Sequence, residues 1–232
     1  MISGGGRGLG AAIAERLLGD GWAVSLGLRD LGQAARFGAP PGRLGDRLMA
    51  VHFEADLPAT ADAWVTATVE RLGRIDALVN NAGILRTVDF EQGDEADLDA
   101  MWAVNVKAPF RLIRAALPHL RETGTGRIVN IASTDARRYR PGTSIGYAMT
   151  KHALLAMTQA ARFAGWDDGV RATALCPGAI DTDLVSGLPG VTPKGDRLTP
   201  ETVAGIVATV LTLPNQASVP ELIVNTRLES LI

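Results

Sequence analysis

Apolar residues fall into two alternating rhythms along this chain. Short runs of strand length occupy 23–28, 48–53, 77–79, 127–132, 172–175 and 222–224. Between them, apolar positions recur at helical spacing over 11–18, 59–72, 104–120, 146–163 and 200–213. Strands that alternate with helices need crossover connections, and crossovers place helices on the faces of a parallel sheet. The pattern therefore predicts one α/β domain over 1–232, a doubly wound parallel sheet with helices on both faces. The longest irregular piece, 181–199, is rich in Gly, Pro and Thr. Structureless segments of that length in a compact domain are usually functional, so 181–199 is a candidate lid.

Composition narrows the partners. At 47% hydrophobic residues the 232-residue chain has ample material for a core. A net charge of −2 supplies no field for gripping nucleic acid or an anionic membrane surface, and no stretch is long and apolar enough to predict a membrane span. The single cysteine, Cys176, follows an apolar strand and precedes a Pro-Gly turn, which predicts a buried inert thiol. One cysteine cannot form an internal disulfide, and the N-terminus lacks the apolar run of a signal peptide, so a cytoplasmic location is expected. His52, His119 and His152 stand apart without ligand-like spacing, and no metal is predicted. The acidic stretch from Glu91 through Gln92 and Gly93 to Glu95 is read as a solvated loop and helix start.

The chemistry begins at the N-terminus, with Ser3, Gly4, Gly5, Gly6, Arg7, Gly8, Leu9 and Gly10. Missing side chains let backbone amides approach a pyrophosphate, and the helix that follows offers its positive end. The spacing read from Gly4 is G-x-x-x-G-x-G, with a hydroxyl residue in front. Further along stand Asp56 and Leu57, then Asn80-Asn81-Ala82-Gly83, Asn105, Ser133, Tyr147-x-x-x-Lys151, and Pro177-Gly178 with Thr182. Tyr147 and Lys151 lie one helical turn apart on one face.

Taken together and in this order, these motifs resemble the classical short-chain dehydrogenase/reductase family from Ser3 to about Thr182; beyond that the likeness is loose. The resemblance implies a Rossmann-like fold and an NAD(P)-dependent oxidoreductase that interconverts a carbonyl and an alcohol on a small or medium-sized molecule. Tyr147 would be the acid or base, its phenolate favoured by the neighbouring ammonium and the positive nicotinamide. Ser133 would hydrogen-bond the reacting oxygen, Lys151 would also hold the cofactor ribose, and Asn105 would anchor a water that links the lysine to solvent. Asp56 would accept from the adenine amine, Asn81 would lie beside the adenosine ribose, and Ile180 and Thr182 would meet the nicotinamide carboxamide. Asn80 is assigned a structural tie between strands. A non-catalytic dinucleotide sensor of the same fold is the alternative, against which Ser133, Tyr147 and Lys151 argue.

Coenzyme choice is set where the second strand ends, since an acid there accepts from a ribose 2′-hydroxyl and repels a 2′-phosphate. That position holds Leu28, followed by Arg29, with Arg7 in the glycine turn. Two guanidiniums suit a phosphate, so NADP is favoured, while Asp30 leaves NAD as the alternative. The family's first strand lies mid-sheet between the strands at 23 and 77, yet only Met1 to Ser3 can form it. An unusually short first strand is expected, with its neighbours' starts losing backbone partners and a native start upstream of Met1. The family also implies a homodimer or homotetramer, with Leu231 and Ile232 packing on a neighbouring subunit. Finally, Arg137, Arg138 and Arg140 crowd the loop between Ser133 and Tyr147, with Tyr139 among them. Arg138 and Arg140 beside the reacting carbonyl would suit a substrate bearing a carboxylate or phosphate.

Overall fold

The computed structural model describes residues 1–38, 46–91, 93–140, 142–188 and 191–228. Gln92, positions 189 and 190 of the 181–199 segment, and Leu231 with Ile232 lie outside the described residues. The strands are β1 (Ile2–Ser3), β2 (Val24–Leu28), β3 (Leu48–His52), β4 (Ala77–Asn80), β5 (Arg127–Ile131), β6 (Arg171–Pro177) and β7 (Glu221–Val224). They form one parallel sheet in the order β3-β2-β1-β4-β5-β6-β7. The order reverses direction between β1 and β4, and a crevice opens at the carboxyl ends of strands at such a switch point.

Helices cover both faces. On one side α1 (Gly8–Gly19) and α6 (Pro200–Thr212) pack together over the sheet through Ile13, Leu17, Val203 and Val207. On the other side α2 (Ala59–Leu72), α4 (Ala108–Glu122) and α5 (Ile145–Gly165) bury Trp64, Leu112, Leu120 and Ala161. Trp64 is fully buried because Gly27 of β2 lacks a side chain; a Cβ there would lie 2.5 Å from the indole ring. The indole N–H donates to Ser25 Oγ at 2.8 Å, so the ring's one polar atom is satisfied inside the core.

Two details differ from the sequence pattern. The helical stretch expected from residue 104 begins earlier, as α3 (Glu95–Trp102), and reaches α4 through a π turn, Ala103–Lys107. Asp94 starts it by accepting from Asp97 N, so the acidic stretch does carry a helix cap. The 3₁₀ turn Leu31–Phe37 after β2 went unrecognised, because it is too short to display a period. β1 is as short as expected: it registers only with Leu26 and Gly27 of β2 and Val79 of β4. The start of β4 nevertheless keeps partners, since the Met1 ammonium donates to the Ala77 carbonyl and Val79 N donates to Met1 O, both at 2.8 Å. Among the described residues no helix is long and apolar enough to cross a membrane.

Candidate active site

A cleft of about 750 Å³ opens at the carboxyl edge of the sheet, over the switch point. One end is built by the glycine turn. Gly4 has φ of +66° and Gly8 has φ of +50°, left-handed conformations that favour glycine. Gly10 allows α1 to start against the turn, because a Cβ there would collide with the Gly4 carbonyl oxygen and approach Asn81 Nδ2 to 2.5 Å. Ser3 fixes the turn to β4: its Oγ accepts from Asn81 N and Ala82 N, both at 3.0 Å, while Asn81 Nδ2 donates back to Ser3 O and Gly4 O. No side chain caps α1, and Gly8, Leu9 and Gly10 of its first turn line the cleft. An uncapped helix start with amides at a glycine cradle suits a pyrophosphate, so these residues fit a dinucleotide.

The remaining expected cofactor residues divide. Arg7, Arg29, Asp56, Asn81, Ala82, Gly83, Pro177, Gly178, Ile180 and Thr182 line the same cleft, Thr182 lying against Gly8. Ser3, Gly5 and Gly6 lie in or beneath the turn, outside the lining. Leu57 is half exposed and contributes its carbonyl to Thr60 Oγ1 instead. Arg7 also reaches Asp183, just past Thr182, at 3.4 Å. The Asp30 carboxylate accepts from Gly32 N at 2.8 Å and caps the turn after β2.

The other end of the cleft gathers Ser133, Tyr147 and Lys151. Ser144 starts α5, accepting from Tyr147 N and from Val88 N, so Tyr147 sits in the first turn with its ring packed on Val88 and Met101. Lys151, one turn on, is buried; its Nζ donates to Ile131 O at 2.8 Å and lies 5.5 Å from the Tyr147 ring centroid. Desolvation lowers the Lys151 ammonium to about 8, against an opposing field from Cys176. Asn105 lies in the π turn and is buried; it clamps both backbone atoms of Ile84 at 2.9 Å and donates to Thr150 Oγ1. A Cβ on Gly83 would lie 3.4 Å from Asn105 Oδ1 and 3.5 Å from Lys151 Nζ, so this glycine marks the gap between the two.

Tyr147 departs from expectation in its electrostatics. Its phenol is pushed well above the ordinary value, first by burial and then by the Asp135 carboxylate, with only the Ser133 hydrogen bond pulling it back. The net direction is upward, opposite to the lowering expected beside the Lys151 ammonium. Asp135 carries no sequence signal of its own among the neighbouring arginines, yet it lines the cleft and holds two of them. Arg138 Nη1 reaches Asp135 Oδ1 at 3.3 Å and Arg140 Nη2 reaches it at 3.2 Å, while Arg137 pairs with Glu221. Arg138 is buried and does not line the cleft; Arg140 does. Asn225, Thr226 and Arg227 complete the wall beyond β7. Parallel strands all end at this edge, and that rule was the available signal for them.

A doubly wound sheet carrying a glycine cradle at its switch point and a Ser, Tyr and Lys group in the same cleft has the architecture of a nucleotide-dependent oxidoreductase. The family model for short chain dehydrogenase matches residues 1–189. An agropine synthesis reductase of Rhizobium rhizogenes is 41% identical over 224 residues, which cover 95% of this chain and 50% of the relative. The chain thus spans about half the length of that protein. Among solved structures, an alcohol dehydrogenase from Thermococcus sibiricus complexed with 5-hydroxy-NADP superposes with a TM-score of 0.85 at 30% identity, covering 96% of this chain and 94% of that one. A 3-ketoacyl-(acyl-carrier-protein) reductase from Brucella melitensis complexed with NADH gives 0.86 at 30% identity, covering 97% and 94%. The chain belongs to the short-chain dehydrogenase/reductase family, whose members are NAD(P)-dependent oxidoreductases acting on small molecules.

Proposed function

We propose that residues 1–232 act as one domain that interconverts a carbonyl and an alcohol with NADP(H), Tyr147 exchanging the proton of the substrate oxygen. The observation that carries this reading is the single cleft with the glycine cradle at one end and Ser133, Tyr147 and Lys151 at the other. NADP(H), when bound, supplies or accepts the hydride at the substrate carbon. In the reducing direction the phenol O–H of Tyr147 donates its proton to the carbonyl oxygen as the new C–H bond forms, leaving a phenolate that the Lys151 ammonium stabilises. Ser133 donates to the same oxygen and fixes its position. Lys151 also holds the ribose, and Asn105 holds the relay water that returns a proton. The reductases among the relatives favour the reducing direction.

NADP over NAD is supported by Arg29 and Gln33 lining the cleft where β2 ends, while Asp30 is occupied as a cap. A substrate bearing a carboxylate or phosphate is supported by Arg140, whose guanidinium lines the cleft together with Ser133 and Tyr147. The described part of the 181–199 segment fits a lid. Leu184, Val185, Leu188 and Val191 line the cleft, and its base is pinned by the Ile180–Leu198 bridge and the Arg197–Asp181 pair. Pairing of two or four copies through α4 and α5 is supported by exposed Phe110 and Met149, and a cytoplasmic setting by the lone buried thiol. The test follows coenzyme absorbance with acidic and neutral carbonyls. The reading expects kcat/KM with NADPH to exceed that with NADH by roughly tenfold or more, the worth of a charge-assisted phosphate contact. A preference for NADH overturns the coenzyme assignment, and no turnover with either overturns the activity.

A further inference from the structure

Between β3 and α2 the chain makes a short turn that lines the cleft through Phe53, Glu54, Ala55 and Asp56. Its floor is apolar, the Phe53 ring lying 5.1 Å from the ring of the fully buried Trp64. Thr60 ties the turn to the start of α2: its Oγ1 accepts from Glu54 N at 3.2 Å and lies 2.9 Å from Glu54 O and 2.7 Å from Leu57 O. A second tie comes from a distant element. Arg111 of α4 donates through Nη1 to Ala55 O at 3.0 Å, across 56 residues of chain. Among the described residues this guanidinium makes no ion pair with a carboxylate, so its charge is directed at that carbonyl. A trans peptide is planar, with its C=O and N–H antiparallel. The bond to Ala55 O therefore also sets the direction of Asp56 N–H, which has no partner among the described residues.

We propose that Arg111 is a positioning residue for the adenine end of the coenzyme, acting through the Ala55–Asp56 peptide. Asp56 is exposed, and a turn that must be ordered when its ligand arrives loses affinity to that ordering. Arg111 supplies the order beforehand from α4, and a cationic donor holds a carbonyl more firmly than a neutral one. An adenine edge presents an amine donor beside a ring-nitrogen acceptor, the complement of a carboxylate beside an amide N–H. Asp56 carries both groups, and the Arg111 bond fixes the peptide from which both project. Ser133, Tyr147 and Lys151 gather at the other end of the cleft, so the nicotinamide half does not depend on Arg111.

This inference rests on the cleft binding a dinucleotide, and the test keeps the two apart. Calorimetry on the wild-type protein and on Arg111→Met measures Kd for three probes: NADPH, ADP, which carries the adenine half of either coenzyme, and reduced nicotinamide mononucleotide, which lacks it. Arg111→Met should weaken NADPH and ADP by about tenfold each, the scale of one lost charge-assisted hydrogen bond, and leave the mononucleotide within about twofold. Arg111→Lys keeps a charged donor and should recover most of the loss. Should Arg111→Met not fold, Arg111→Ala carries the same expectation. An ADP affinity unchanged in Arg111→Met, ADP and mononucleotide weakened alike, or an Arg111→Lys variant as weak as Arg111→Met would assign Arg111 to the packing of α4 and overturn the proposal. A wild-type protein that binds neither NADPH nor ADP removes the dinucleotide site, and this inference with it.

Discussion

Replacing Lys151 by Met should stabilise the coenzyme-free protein at neutral pH relative to the value it reaches at alkaline pH. The ammonium is buried at 4% exposure and, among the described residues, its one protein acceptor is Ile131 O, so folding desolvates a charge with little return. Its value falls from 10.5 to about 8. Below pH 8 both folded and unfolded chains hold the proton, and the penalty is complete, about 3 kcal/mol by linkage. Between 8 and 10.5 the unfolded chain binds a proton that the folded chain has released, so the stability contributed at this site rises with pH. Above 10.5 the penalty is gone. Met removes it at every pH and forfeits the hydrogen bond to Ile131 O, a cost of about 1–3 kcal/mol that does not titrate here. The stability difference, variant minus wild type, should therefore shrink by about 2 kcal/mol from pH 7 to pH 9.5. Urea unfolding of both proteins across that range cancels all other titrations in the difference. A difference that is constant with pH, or that widens, refutes the argument that Lys151 is held charged against its desolvation.

The glycine cradle and the loop arginines give two further expectations. Gly10→Ala drives a Cβ into the Gly4 carbonyl, so the turn must open; the coenzyme Kd should rise at least tenfold and stability should fall by about 1–3 kcal/mol, and a variant that binds NADPH normally contradicts the cradle. Arg140→Ala should raise KM for a carboxylate-bearing carbonyl about fivefold, in line with a partly exposed charge pair, with the neutral analogue unchanged; equal effects on both would make Arg140 a surface residue.

Much of this was legible in the sequence because backbone geometry leaves residue-type signatures. Gly4 and Gly8 take left-handed conformations, and Gly10 marks a contact that no side chain tolerates. Tyr147 and Lys151 announce a shared helix face by their spacing alone. Strand and helix periods were readable wherever an element ran long enough to repeat, which is why the turn at Leu31–Phe37 and the early start of α3 were missed. The electrostatics were the less legible part. Nothing in the order of residues 133–140 says that Asp135 lines the cleft and collects Arg138 and Arg140, because that pairing is made by a short 3₁₀ turn. Burial of Tyr147 against Val88 and Met101 likewise comes from segments distant in sequence. The ammonium next door suggested a lowered phenol; desolvation and the carboxylate reversed the direction.

The central claim is that Tyr147 transfers the proton in a coenzyme-dependent carbonyl reduction, and the most direct measurement is NADPH oxidation by wild type and Tyr147→Phe with the same carbonyl substrate. The phenylalanine keeps the ring packed on Val88 and Met101 and deletes only the hydroxyl. The account predicts that NADPH binds both proteins with a similar Kd while kcat falls in the variant by at least ~10²-fold, the scale of a lost general acid. Turnover in Tyr147→Phe within a few-fold of wild type would contradict it.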